Sequence, residues 1–240
     1  MRVMAFSPHP DDVELFCAGA LAKYKARGHD VAITLVTNGN VGSETLPPDE
    51  IARIRVQEAR NSAAIINAEF HFLGYDDEFL YDSPDVRRAF IDVIRAFRPD
   101  LILCPDKDND YIPDHTRTGQ LVWDVHKMVT VPNIPTEHAP AEHTYELWYY
   151  DTGAGIGFTP EVYVDITDYW DKKAAMIEAH ESQAAWLKDQ YDVPATYYGE
   201  TLSRFRGFQS GCAYAEAFRK ARMFPQAVSP DALIPTFITP

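Results

Sequence analysis

Short apolar runs that alternate with helical patterns restrict this chain more than any other feature. The runs are Val3 to Phe6, 30–37, 69–73 and Leu101 to Cys104. Between them lie patterns of helical period over 15–28, 49–66 and 84–97, the last with Val86, Phe90, Ile91, Ile94 and Phe97 at helical spacing. Strands of this kind, alternating with helices, specify an α/β fold of layered type, with right-handed crossovers and a parallel sheet. Further on, the pattern predicts a helix ending near 129, strands over 146–150 and 162–166, a helix over 169–188 and a short helix over 214–221. The prolines of the tail follow from Pro225. A length of 240 residues suits one core, so the expectation is a single domain over 1–240. Within it, 190–240 is expected to cap the sheet or contact another subunit.

In open parallel sheets, ligands bind beyond the carboxyl ends of the strands. Two turns there carry chemistry. The first run ends in Ser7-Pro8, and His9, Asp11, Asp12 and Glu14 follow at once. The fourth opens into Pro105-Asp-Lys-Asp-Asn-Asp-Tyr-Ile-Pro-Asp-His115. His9, Asp12 and His115 are the residue types of a two-histidine, one-carboxylate site for Zn²⁺, a mixture that this borderline-soft cation accepts. Asp11 and Asp12 are adjacent and must point differently, so one can ligate while the other acts as a general base. Asp114 is a candidate acceptor that orients an imidazole. The competing reading makes these residues polar turns whose carboxylates cap the following helices. For either aspartate alone that reading is the better one, and only the grouping with two histidines favours the metal.

Other features stay two-sided. The loop Asn38-Gly-Asn-Val-Gly42 lets a substrate approach backbone, or is a plain turn. Arg55 fits a substrate phosphate or hydroxyl, or a partner such as Glu58 or another carboxylate. His180 suits a substrate contact or a buried structural role. Tyr149, Tyr150, Tyr197 and Tyr198 suit stacking on a sugar ring or ordinary packing.

Composition excludes several classes. A net charge of −14 opposes binding to nucleic acid or to an anionic membrane. No apolar stretch is long enough to span a membrane. The start lacks the pattern of a signal peptide, and three dispersed cysteines (Cys17, Cys104, Cys212) fit a reducing compartment, so a cytoplasmic location is expected. No G-x-G-x-x-G occurs in the first turn, which argues against a dinucleotide. The Pro-rich tail and the aromatic stretch over 191–208 suggest a homo-oligomer.

Ser7-Pro8-His9-Pro10-Asp11-Asp12-Val13-Glu14 resembles the (A/P)-H-P-D-D-x-E signature of the PIG-L/LmbE-like family of zinc-dependent N-acetylglucosamine-type deacetylases. Agreement continues in Arg55-Val-Gln-Glu58-Ala-Arg-Asn-Ser-Ala-Ala64, Pro113-Asp114-His115, Ala179-His180-Glu-Ser-Gln183 and Tyr214-Ala-Glu-Ala-Phe-Arg219. The resemblance implies a three-layer Rossmann-like fold with a mostly parallel central sheet and one Zn²⁺ per chain. It implies His9, Asp12 and His115 as metal ligands and Asp11 as general base. It also implies supporting or catalytic roles for Asp114 and His180. Glu14, Asn38, Arg55 and Tyr111 are the expected substrate contacts, and the implied reaction removes an acetyl group from an N-acetylated amino sugar or its conjugate. Ile112 stands where the family commonly has histidine, which keeps a metal-dependent hydratase or lyase acting on a carboxylated small molecule in view. A non-catalytic binding or assembly protein of the same fold is the third possibility.

Overall fold

Residues 3–6 alternate between two cores, and that alternation sets the layers. Val3 and Ala5 face one apolar cluster, and Met4 and Phe6 face the other; all four are fully buried. A strand covered on both faces must sit centrally in its sheet. The computed structural model, which describes residues 1–223, places it there.

In chain order the elements begin β1 (Arg2–Ser7), α1 (Asp12–Phe16), α2 (Ala18–Ala26), β2 (Asp30–Thr37), α3 (Pro48–Ile65), β3 (Glu69–Tyr75), α4 (Pro84–Phe97) and β4 (Leu101–Cys104). They continue α5 (Pro113–Asp124), β5 (Glu146–Tyr150), β6 (Val162–Asp165), α6 (Trp170–Glu178), α7 (Glu181–Tyr191), α8 (Tyr197–Ser210) and β7 (Ala215–Lys220). The seven-stranded sheet has the order β3-β2-β1-β4-β5-β7-β6. The pairs from β3 through β5 are parallel, and β7 runs antiparallel to both β5 and β6. Chain order reverses between β1 and β4, which puts the switch point of the sheet where the two chemically rich turns emerge. The expected α/β, mostly parallel architecture is therefore present.

Three local expectations are corrected. The segment predicted as a helix over 214–221 is β7. Helix-compatible residues are overridden there by tertiary pairing: Ala217 faces one core and Phe218 the other, in the alternation of a strand. The helix predicted over 15–28 is interrupted at Cys17. The buried Glu216 carboxylate accepts from the backbone N–H groups of Gly19 and Ala20, at 2.9 and 2.7 Å, and so fixes a new helix start. The helix predicted over 169–188 breaks at His180, because Glu58 of α3 accepts both the N–H and the hydroxyl of Ser182, at 2.8 and 2.7 Å. The predicted tail from Pro225 lies outside the described residues.

Glu216 also pairs with Lys173 at 2.7 Å, and both are buried. Lys173→Met is expected to leave that carboxylate uncompensated and to cost about 3–5 kcal/mol, the usual penalty for removing one member of a buried pair. Urea denaturation measures it; a loss below about 1 kcal/mol would mean that the two helix N–H groups suffice.

Candidate metal centre

The turn after β1 is held from every side. Ser7 Oγ donates to the His9 carbonyl at 2.7 Å and accepts from the Val13 N–H at 3.2 Å. Thr37 at the end of β2 donates its hydroxyl to the Pro8 carbonyl at 2.8 Å, and Arg55 of α3 donates to the Pro10 carbonyl at 3.0 Å. Asp11 then takes φ 137°, a conformation that side-chain-bearing residues rarely adopt. This bend separates the two neighbouring carboxylates: Asp12 turns inward to the histidines, and Asp11 turns toward Arg55, 3.4 Å away.

The α5 element delivers His115 from the opposite side of the switch point. Its Nε2 lies 3.1 Å from Asp12 Oδ1 and 3.3 Å from His9 Nδ1, while His9 Nδ1 lies 3.2 Å from Asp12 Oδ2. His115 Nδ1 is hydrogen-bonded to Asp110 at 2.9 Å, so that once neutral the ring turns the Nε2 lone pair toward the other two groups. Two imidazole nitrogens and a carboxylate oxygen, all within 4.8 Å of one another and buried, form a donor set suited to a divalent cation. His9, Asp77 and Asp114 make a second such group. It is the weaker candidate, because it has only one nitrogen and its carboxylates are engaged elsewhere. Asp114 accepts the Glu78 N–H at 2.8 Å, and Asp77 lies 3.7 Å from Arg55. Those two carboxylates instead flank His9 Nε2 at 3.1 and 3.4 Å, so a proton on that nitrogen is favoured and Nδ1 is left for the cation.

The electrostatics follow from burial opposed by charge. Burial works against a charged His115, but Asp12 and Asp110 override it and raise its pKa to about 9. His9 is raised in the same way by Asp12, Asp114 and Asp77. Asp12 is driven down despite burial, because His115 and His9 surround it. Asp11 moves the other way. Burial raises it to about 6, with Arg55 pulling it down and Asp12 pushing it up.

The remaining expected site residues separate. His180 is buried beside Asp11 at one cavity, and its Nε2 lies 3.5 Å from Glu14 Oε1 without hydrogen-bond geometry. Among the described residues neither of its ring nitrogens has a hydrogen-bond partner. Burial opposes its charge, but Glu14 and Asp11 outweigh burial and raise its pKa. Glu14 sits beneath it, 2 % exposed, and accepts the Ser62 hydroxyl at 2.6 Å. Arg55 is buried against Asp11, Asp77 and the Gly39 carbonyl; Glu58, one candidate partner, is occupied by Ser182 instead. Gly39 has φ +69°, and a Cβ there would come within 2.9 Å of the Arg55 side chain, so this loop must be glycine-bearing to lie on the guanidinium. Asn38 donates to Asp76 at 3.0 Å, and Tyr111 is 70 % exposed. Tyr149 and Tyr150 are core residues rather than a sugar platform, whereas Tyr197 and Tyr198 are exposed.

Asp77 and Asp110 are the site residues that reading the sequence passes over. Their only signal is position, in loops leaving the same sheet edge as His9. Asp77→Asn is expected to weaken divalent-cation affinity by about 10–100-fold, because His9 loses the carboxylate that orients it. Competition with a chelator measures it, and an unchanged affinity would remove Asp77 from the centre.

Fold and site together define an α/β protein with a candidate metal centre at the switch point of its sheet. The chain belongs to the PIG-L family: the family described as GlcNAc-PI de-N-acetylase matches residues 4–126. Diacetylchitobiose deacetylase of Thermococcus kodakarensis is 30% identical over 228 residues, covering 91% of this chain and 82% of that protein. The structure of N,N'-diacetylchitobiose deacetylase from Pyrococcus horikoshii matches with a TM-score of 0.80 and 28% identity, covering 92% of this chain and 83% of that one. GalB, the 4-carboxy-2-hydroxymuconate hydratase of Pseudomonas putida, has a TM-score of 0.80 at 19% identity, covering 95% of this chain and 98% of that one. At that identity the likeness concerns the fold alone.

Proposed function

We propose that this chain is a zinc-dependent N-deacetylase that hydrolyses the acetamide of an N-acetylated amino sugar or its conjugate to acetate and the free amine. The observation that carries the reading is the convergence of His9, Asp12 and His115, with Asp11 left free beside them. The deacetylase names of the two most similar relatives cited above support the same reaction class.

His9, Asp12 and His115 would hold one Zn²⁺. When bound, the cation supplies Lewis-acid polarisation of the acyl oxygen and lowers the pKa of water in its coordination sphere. Asp11, ionised, takes a proton from the attacking water as its oxygen bonds to the acyl carbon. Arg55 keeps that carboxylate ionised at neutral pH and fixes its direction. His180, whose protonated form Glu14 favours, donates a hydrogen bond to the oxyanion as the carbonyl becomes tetrahedral and keeps its proton. Asp11 then returns its proton to the nitrogen, the C–N bond breaks, and acetate and amine depart. This assignment needs no imidazole at Ile112.

The base must be ionised, so activity falls on the acid side. Asp11 titrates at about 6 in the metal-free chain, and a neighbouring cation moves it lower. The kcat/KM profile is therefore expected to lose about tenfold per pH unit below an apparent pKa no higher than about 6. A profile with its acid limb above pH 7 would point to a different base.

The direct experiment is acetate release from a panel of N-acetylated amino sugars by the zinc-loaded protein, run beside hydration of unsaturated dicarboxylates. Acetate release supports the deacetylase; hydration alone would replace it with the hydratase reading. A single domain, a reducing cytoplasmic setting and a homo-oligomer belong to the same proposal. They are supported by two buried free thiols, Cys17 and Cys104, and by the exposed Phe205 and Phe208 of α8. No helix among the described residues is long and apolar enough to cross a membrane.

A further inference from the structure

The α7 helix is anchored but not packed. Ser182 and Gln183 at its start are tied to Glu58 and to the Gly42 carbonyl, yet among the described residues none of its eleven positions is buried. Ala184, Trp186 and Leu187 face a cavity of 210 Å³ instead of a core. Leu15, Ile177, Ala195 and Tyr198 complete its wall with Gln183, whose amide donates to the Gly42 carbonyl, so the lining beyond Asp11 and His180 is mostly apolar. Asp11 and His180, the two groups assigned to the reacting amide, line the same cavity, with His180 buried and Trp186 and Tyr198 exposed to solvent.

The apolar part of this lining offers sugar hydroxyls few partners to replace their water. It does suit a hydrocarbon chain carried by the acyl carbon that Asp11 addresses. We propose that this site accepts N-acyl groups longer than acetyl, with the chain seated between α7 and the Leu15–Ile177 wall, so that the chain is a medium-chain N-deacylase of amino sugars. This rests on the deacetylase reading and deepens it. At about 10–15 Å³ of that volume per water-sized group, the cavity holds more than ten of them, ample for acyl chains of about four to eight carbons. The chemistry is unchanged: the amide C–N bond is replaced by a C–O bond from water, and a fatty acid and an amine leave.

The test is a ladder of N-acetyl-, N-butanoyl-, N-hexanoyl- and N-octanoyl-glucosamine given to the zinc-loaded full chain, with amine release measured. Each buried methylene is worth about fourfold, so kcat/KM should rise about fifteen-fold from acetyl to butanoyl and continue rising to hexanoyl. Ala184→Trp, which fills the cavity, should reverse the order of hexanoyl and acetyl. Leu187→Ala, which enlarges it, should raise the octanoyl-to-butanoyl ratio and keeps the test decisive if the first variant does not fold. Acetyl turnover that falls with every added carbon would overturn the deacylase while leaving the deacetylase standing. A gain seen only when an apolar group is placed on the sugar, rather than on the acyl carbon, would overturn it equally. Absence of turnover at every chain length would sink both readings together.

Discussion

Asp11→Asn is expected to lower kcat by about 10²–10⁴, the contribution of a positioned general base, and to leave metal content unchanged. The two halves of this result come from different parts of the turn. Asp11 is not in contact with the imidazoles; its carboxylate faces Arg55, while Asp12 makes the contacts to His9 and His115. Asparagine keeps the shape and can still accept from Arg55. It is isosteric with aspartate, so the backbone at φ 137° need not change. Only the ability to take a proton is lost. Single-turnover amine release together with elemental analysis reads both halves. Turnover within threefold of the parent protein would remove Asp11 as the base, and loss of metal would make it a ligand.

His115→Ala is expected to weaken cation binding by more than the 10–100-fold typical of losing an outer-sphere partner, and activity at limiting metal should disappear with it. The histidine is 1 % exposed and bridges two groups, with Asp110 behind one nitrogen and Asp12 and His9 before the other. Its removal leaves one imidazole and one carboxylate, too few for a tight site. The parent protein should also show a proton linkage. In the metal-free chain the His115 pKa stands at about 9, so at pH 7 the ring is protonated and binding must expel that proton. His9 is raised as well, so affinity should increase with pH up to about 9 and need not level off there. Calorimetry in buffers of different ionisation enthalpy counts the protons, and a pH-independent affinity would mean that His115 does not ligate.

Legibility in the sequence follows the range of the forces involved. The strands β1, β2, β4 and β5 are apolar runs because both of their faces are covered, and α4 is readable at both ends. Ser83 caps its start, accepting from the Val86 N–H at 3.2 Å, and Arg98 closes it with a left-handed residue. The helix breaks at Cys17 and His180 are invisible locally. Their causes are Glu216 and Glu58, which lie 197 and 124 residues away in sequence from the N–H groups of Gly19 and Ser182 that they bind. The strand β7 reads as a helix for the same reason, since its partners β5 and β6 decide its conformation. In the site, His9, Asp12 and His115 stand out because chemistry-bearing residues leave strand ends together. Asp77 and Asp110 do not, because their value depends on how two loops fold back over the imidazoles. Arg55 is half legible: its charge pointed to a carboxylate partner, and the fold supplied Asp11 and Asp77 rather than its helical neighbour Glu58.

The account stands on one cation held at the switch point between β1 and β4. Titrating the chelator-stripped protein with zinc, while following acetate release from an N-acetylated amino sugar, tests that most directly. Activity that is absent at the start, rises linearly and saturates at one equivalent per chain is the predicted result. Full activity in the stripped protein, or zinc bound only at His115-independent sites, would contradict it.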